Sequence, residues 1–355
     1  MQVYSKIYEF NRSDKNLVKS ISNQFTISLE IEIETSDKEK KYTIPKSKFL
    51  KIIKKSVYTF IKENNEDIKE INNISSLLSD IDLTEDYDED YNYDVFNNYI
   101  GLAKTKFQKD LYSLVYSEYL TYWCSDNIEY LTNKVEENLP NFYNKWSSSL
   151  KFELDNTLER GIEFSPKLYL VGIEKTLEYI NDFYNDFKAQ DYWYMSDKTG
   201  IHVNIGLINK NHWNILKGML MISDVGKDSY IFKDMKWRLK SHYTNSFLPK
   251  LKEEIKSDKK ILNIKLFSDI SKIENVLSKY ILSKLDNNEY KNYGFNITRV
   301  RNMNYVEFRY PGGDIKKDSL INKVYYFCYI VKLMTDPDFK RKKYLKNLYK
   351  FISNL

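Results

Sequence analysis

The sequence predicts an α+β fold on three observations. The stretch FTISLEIEIET, residues 25–35, alternates Leu29, Ile31 and Ile33 with Glu30, Glu32 and Glu34. That period of two gives a strand with one apolar and one charged face. The same alternation returns in TGIHVNIGLI (199–208) and NYVEFRY (304–310), far along the chain. Between these pieces run segments with apolar residues at helical spacing, such as SKFLKIIKKSVYTFIKE (47–63).

Taken in order, residues 25–35 form a strand that residues 40–44 are placed to pair with. From Pro45 to about 150 the pattern is helical, with DLYSLVYSEYLTYW (110–123) as a second clear segment. The acidic run TEDYDEDYNYD (84–94) reads as a solvated loop or helix start. At 150 the character changes. LKFELDNTLERGIEFSPKLYL (150–170) reads strand, turn, strand, and GIEKTLEYINDFYNDFK (172–188) reads as a helix. Residues 199–208 form a strand entered through a glycine, and 211–222, 249–262 and 267–285 are helical. Residues 293–313 read as two strands joined at Arg301–Asn304, followed by helices at 316–335 and 337–353. The basic tail DFKRKKYLKNLYKFI (338–352) reads as a docking helix with a solvated lysine face. The resulting organisation is 1–44 as the first part of a sheet, 45–150 as a helical insertion or lid, 151–315 as the core, and 316–355 as helices packed on it.

Composition narrows the function classes. A chain of 355 residues suits two domains, or one large α/β domain with an insertion. The 31 tyrosines beside 10 glycines and 6 prolines match an AT-rich coding bias of the kind many phages, some bacteria and some large viruses carry, so single Tyr or Lys residues are weak signals. A net charge of +5, from 55 basic and 50 acidic residues, does not call for a nucleic-acid partner. No apolar run is long enough to span a membrane, and the N-terminus lacks the apolar core of a signal peptide. Cys124 and Cys328 lie far apart without zinc or redox spacing, which fits a reduced, cytoplasmic setting. Neither a GxGxxG nor a GxxxxGK[ST] motif is present, which argues against a Rossmann or P-loop nucleotide site.

The strand pieces share one design. They offer Glu30, Glu32 and Glu34; Asp155 and Glu163, eight apart across a turn; His202 and Asn204; and Glu307 and Arg309. Any one pair also fits an ordinary solvent-facing strand. Together, carboxylates with one imidazole are suitable ligands for Mg²⁺ or Mn²⁺, and an arginine beside them can clamp an anion such as phosphate. His212 and His242 read as surface or packing residues.

Four segments resemble the motifs of the amidoligase family, in that family's order. SLEIEIE (28–34) is similar to its opening G-[VI]-E-[LIF]-E, and DNTLERGIEFSP (155–166) to its D-G-S-L…G-x-E-[LIV]-[VF]-S-P. TGIHVNIGL (199–207) resembles C-G-x-H-V-[HN]-[IV]-G, and NYGFNITRVRNMNYVEFRYPGGD (292–314) its closing R-Y-x-x-[LF]-N…x-[IV]-E-F-R. Ser28 and Asn156 stand where the family has glycine, and Asn204 where it has a second histidine in many members. Glu34 extends the E-x-E, so the metal-binding pair is Glu30 and Glu32 or, one step on, Glu32 and Glu34.

The resemblance implies the fold and chemistry of the carboxylate–amine ligases, with glutamine synthetase and glutamate–cysteine ligase. It implies a curved, mainly antiparallel sheet with helices on its convex face and ATP and metal ions on the concave one. Carried over residue by residue, the metal ligands are Glu30, Glu32, Asp155, Glu163, His202 and Glu307. Arg309 contacts nucleotide phosphate, with Asn204 as a phosphate or ribose contact and Arg299, Arg301 and Arg238 as further contacts. Glu163, Glu307 and Arg309 carry the catalytic roles. The implied reaction joins a small-molecule or peptide carboxylate to an amine through an acyl phosphate, with ATP and Mg²⁺ or Mn²⁺. It is compatible with an oligomer, and with the host cytoplasm if the gene is a phage's. Two other readings use the same residues: a phage or virion assembly protein that keeps the ligase fold, and an ATP-dependent kinase that stops after phosphoryl transfer.

Overall fold

The computed structural model describes residues 10, 12–35, 46–64, 70–81, 89–154, 161–187, 193–196, 199–209, 213–223, 251–253, 256, 270–284 and 294–353. In chain order the elements are α1 (Arg12–Ser20), β1 (Phe25–Thr35), α2 (Lys46–Glu63), α3 (Glu70–Asp80), α4 (Glu89–Leu102), α5 (Lys106–Asn138) and α6 (Pro140–Trp146). Then come β2 (Leu150–Leu154), β3 (Gly161–Pro166), β4 (Leu170–Val171), α7 (Ile173–Asp186), β5 (Trp193–Tyr194), β6 (Ile201–Leu207), α8 (Ile215–Ser223) and α9 (Ile270–Lys284). The last are β7 (Phe295–Asn296), α10 (Val300–Met303), β8 (Tyr305–Phe308), α11 (Lys317–Thr335) and α12 (Arg341–Ser353). The predicted strand at 40–44, most of the predicted helix at 249–262 and the first part of the acidic run, 84–88, lie outside the described residues, while 89–94 opens α4.

The fold is α+β with an open, mainly antiparallel sheet. The strands run β2-β3-β1-β6-β8-β7, with β4 and β5 also pairing with β1. The chain divides into two compact units, Met1–Thr35 with Asn144–Leu355, and Ser36–Tyr143. The first holds the sheet.

Register explains why the sheet has two unlike faces. Ile31 lies opposite Phe164 and Ile33 opposite Ile162. Ile27 and Leu29 lie opposite Ile205 and Val203, which in turn face Val306 and Phe308. All of these side chains are buried. Burying each contributes about 1.5–3 kcal/mol relative to exposure. Helix α7 packs on β1 and α11 on β6 to cover this apolar layer. The Phe308 and Phe327 rings stack with centroids 4.3 Å apart. Because alternate strand residues face opposite ways, the carboxylates fall on the face away from α7 and α11.

Local chemistry fixes the surrounding helices. The amide of Ile173, at the start of α7, donates to the Ser22 hydroxyl at 2.9 Å. The residue before it, Gly172, has φ +96, a conformation glycine adopts without strain. In α8 the fully buried Lys217 ammonium donates to the carbonyls of Asp336 (2.8 Å) and Phe339 (2.5 Å), with Pro337 at 3.4 Å. The junction read from sequence as a strand-to-strand joint at 301–304 is a helical turn, α10, closed by Asn304 in the left-handed region at φ 57. Asparagine tolerates that conformation, and the Trp213 indole holds its side-chain oxygen at 2.6 Å.

The second unit has its own core. Phe49, Ile53, Val57 and Ile61 repeat every four residues along α2 and pack in one cluster with Phe96 of α4 and Leu111, Val115 and Tyr119 of α5. Thr105 caps α5 by accepting from the Gln108 amide at 3.1 Å.

Candidate metal centre

Two rows of polar side chains cross the second face of the sheet. In one, Glu153, Glu163 and Glu32 are successive partners on β2, β3 and β1. In the other, Ser28, Asn204, Glu307 and Asn296 are partners on β1, β6, β8 and β7. Between the rows, Glu30 lies opposite His202. Residues more than a hundred positions apart in the chain therefore meet because antiparallel register brings them level.

His202 is the hub. Its Nδ1 lies 3.1 Å from Glu30 Oε2 and 3.4 Å from Glu307 Oε1, while its Nε2 lies 3.1 Å from Glu32 Oε1. Glu32 also accepts from the Gly200 amide. Burial alone would pull the imidazole pKa down. The Glu32 charge, the hydrogen bond to Glu30 and the Glu307 charge outweigh burial and raise it to about 9, with Arg309 opposing them. The carboxyl of Glu30 moves the other way. Burial pushes it up, but the His202 and Asn204 hydrogen bonds and the His202 and Arg309 charges hold it below the usual range.

Glu307 is held at both oxygens. Arg309 Nε donates to Oε1 at 2.5 Å and Asn296 Nδ2 to Oε2 at 2.5 Å. Asn296 is fixed in turn, since its side-chain oxygen accepts from the amide (3.0 Å) and hydroxyl (2.8 Å) of Thr298. Among the described residues, Arg309 meets Glu307 through Nε alone. Asn204 donates from Nδ2 to Glu30 Oε1 at 2.5 Å. One of the two N–H groups of its amide is thus engaged.

Of the residues predicted from sequence, Glu30, Glu32, Glu163, His202, Asn204, Glu307 and Arg309 come together here. Glu30, Glu163 and His202 each present a ligand atom, and the three atoms lie within 4.8 Å of one another. Two carboxylates and an imidazole at that spacing fit a hard divalent cation. Asp155, Arg238, His212 and His242 lie outside the described residues. Arg299 precedes α10, and Arg301 is exposed on that turn.

Sequence reasoning missed several partners. Asn296 follows the same alternation as Glu307, in the order Phe295, Asn296, Ile297, and that pattern could have marked it. Ser196 donates to Glu34 Oε2 at 3.0 Å from outside any predicted strand. Tyr169 and Tyr305 stand with ring centroids 5.8 Å apart. Burial is the main cause raising both phenols, and the Glu30 and Glu307 charges add to it.

No protein-family model matches this chain, and neither does a curated protein or a solved structure.

Proposed function

We propose that this chain is an ATP- and Mg²⁺-dependent carboxylate–amine ligase of the amidoligase type, built on a glutamine synthetase-like sheet and working in the cytoplasm. One observation carries the reading: Glu30, Glu32, Glu163, His202 and Glu307, from four strands, share one sheet face with Arg309 bonded among them. A face so rich in buried carboxylate calls for cations, and polyphosphate chemistry uses cations of this kind.

The residues divide the work. Glu30, Glu163 and His202 hold the metal, which neutralises phosphate charge when bound. Glu32 and Glu307 fix the His202 ring from opposite sides. Glu307 and Asn296 orient the Arg309 guanidinium toward the developing phosphoryl charge. The γ-phosphoryl group of ATP passes to the substrate carboxylate, giving an acyl phosphate and releasing ADP; an amine then attacks the acyl carbon and loses a proton as phosphate leaves, giving an amide.

The test supplies purified protein with ATP, Mg²⁺ and pools of carboxylic acids and amines, and follows phosphate release and new amide masses. Amide formation lost in Glu163→Gln and Glu307→Gln is the expected result. A phosphorylated product without amide would establish the kinase reading instead. No nucleotide or metal binding by calorimetry would leave the assembly-protein reading.

A further inference from the structure

Asn204 is 2% exposed, and its Oδ1 has no hydrogen-bond partner among the described residues. The amide cannot simply be turned over. Its Nδ2 donates to Glu30 Oε1, and a flip would set oxygen against carboxylate oxygen. No neighbour on this face donates to it either: the hydroxyl of Ser28, opposite in register on β1, makes no hydrogen bond to Oδ1. Glu307, opposite in register, and Glu30 are acceptors when ionised. The His202 ring nitrogens face Glu30, Glu307 and Glu32. Gly206, next on this face of β6, has no side chain. A buried carbonyl oxygen without a donor costs about 1–3 kcal/mol. Here that oxygen sits among carboxylates, where a cation is the electrostatically favoured partner.

We propose that Asn204 Oδ1 is an oxygen ligand of the divalent cation that Glu30 binds. The inference rests on the metal reading of this face and adds to it a neutral ligand. The division of labour within one amide is then complete: nitrogen orients Glu30, and oxygen meets the ion. A neutral oxygen also suits Mg²⁺ or Mn²⁺, which accept carbonyl ligands alongside carboxylates.

The experiment titrates Mn²⁺ alone into the full chain by calorimetry and electron paramagnetic resonance. It compares the wild type with Asn204→Leu, Asn204→Asp and Glu163→Gln, each checked for folding by circular dichroism. Asn204→Leu keeps the volume but removes both the oxygen and the N–H that holds Glu30, and is expected to weaken Mn²⁺ binding by about tenfold or more, the least that disturbing a metal's supporting shell costs; Asn204→Asp, which loses only the N–H, separates the two. Asn204→Asp restores an oxygen and is expected to bind at least as tightly as the wild type. A folded Asn204→Leu protein with wild-type affinity overturns the proposal and assigns the oxygen to a substrate N–H or O–H. Should Asn204→Leu not fold, weaker binding by Asn204→Asp overturns it. A wild-type chain that binds no Mn²⁺ overturns this proposal and the metal reading together. Binding lost in Glu163→Gln but unchanged in both Asn204 variants overturns this proposal alone.

Discussion

Raising the pH of the metal-free protein from about 6.5 to about 9.5 is expected to remove the positive charge that His202 holds between Glu30, Glu32 and Glu307. The imidazole moves from an ordinary 6.5 to about 9 in the fold. At about 1.4 kcal/mol per unit, that gap amounts to roughly 3 kcal/mol of folding stability. The sign follows from proton binding. Between the two values the folded protein holds a proton that the unfolded chain has lost, so the stabilisation is complete below 6.5 and disappears as pH rises through about 9. Lys217 supplies an opposing slope. Burial pulls its pKa from 10.5 to about 8, so the unfolded chain binds the extra proton above that pH and stability rises. The readout is therefore the difference in urea-unfolding free energy between wild type and His202→Gln, in chelator, at several pH values. That difference should shrink by roughly 3 kcal/mol from the lowest pH to the highest.

The same proton competes with metal. A ligating imidazole must be neutral. Below about 9, Mn²⁺ affinity should then rise about tenfold per pH unit, and calorimetry in buffers of different ionisation heat should show close to one proton released per ion. A wild-type minus His202→Gln difference that stays flat with pH, together with pH-independent Mn²⁺ affinity, would refute the reasoning that the three glutamates keep His202 charged.

Glu307→Gln leaves the largely buried Arg309 without its carboxylate, and should destabilise the protein by about 3 kcal/mol in urea unfolding; a loss under about 1 kcal/mol would mean that solvent, not Glu307, balances the arginine. Lys217→Met removes the donor shared by the carbonyls of Asp336 and Phe339, and should cost about 2–4 kcal/mol by the same measurement; an unchanged midpoint would show that the carbonyls find other donors.

The sequence disclosed the site better than the architecture around it. Period-two alternation marked Glu30, Glu32, His202 and Glu307 as sharing strand faces with one another's class of residue, because the alternation is a local property of each strand. It could not say that β1 lies between β3 and β6, which is a matter of long-range pairing. Asn204 illustrates the limit. Its type and position were legible, but the direction of its amide depends on Glu30, 174 positions away. The short strands β4, β5 and β7 carry two residues each, too few for any period to appear. The joint at 301–304 was read only as a connection between strands, since the four helical residues Val300–Met303 leave no periodic trace either. Ser196 reaches Glu34 from outside every strand that the alternation marks.

The third carboxylate of β1 shows how register separates residues that the sequence makes equivalent. Glu30, Glu32 and Glu34 alternate identically, yet their surroundings differ in charge. Glu30 and Glu32 flank the His202 ring, one at each nitrogen. Glu34 lies opposite Gly161 on one side and Tyr194 on the other, and its carboxylate accepts from the neutral Ser196 hydroxyl. A group satisfied by a hydroxyl and two strand positions from Glu32 acts on a cation near Glu30 chiefly through distance-weakened Coulomb attraction. Glu34→Gln should therefore change Mn²⁺ affinity by about twofold or less, whereas Glu30→Gln should lower it by about tenfold or more. Calorimetric titration of the two variants side by side decides the point. A loss in Glu34→Gln equal to that in Glu30→Gln would shift the ion toward Glu32 and Glu34, and would require His202 to give up its place at the centre of the ligand set.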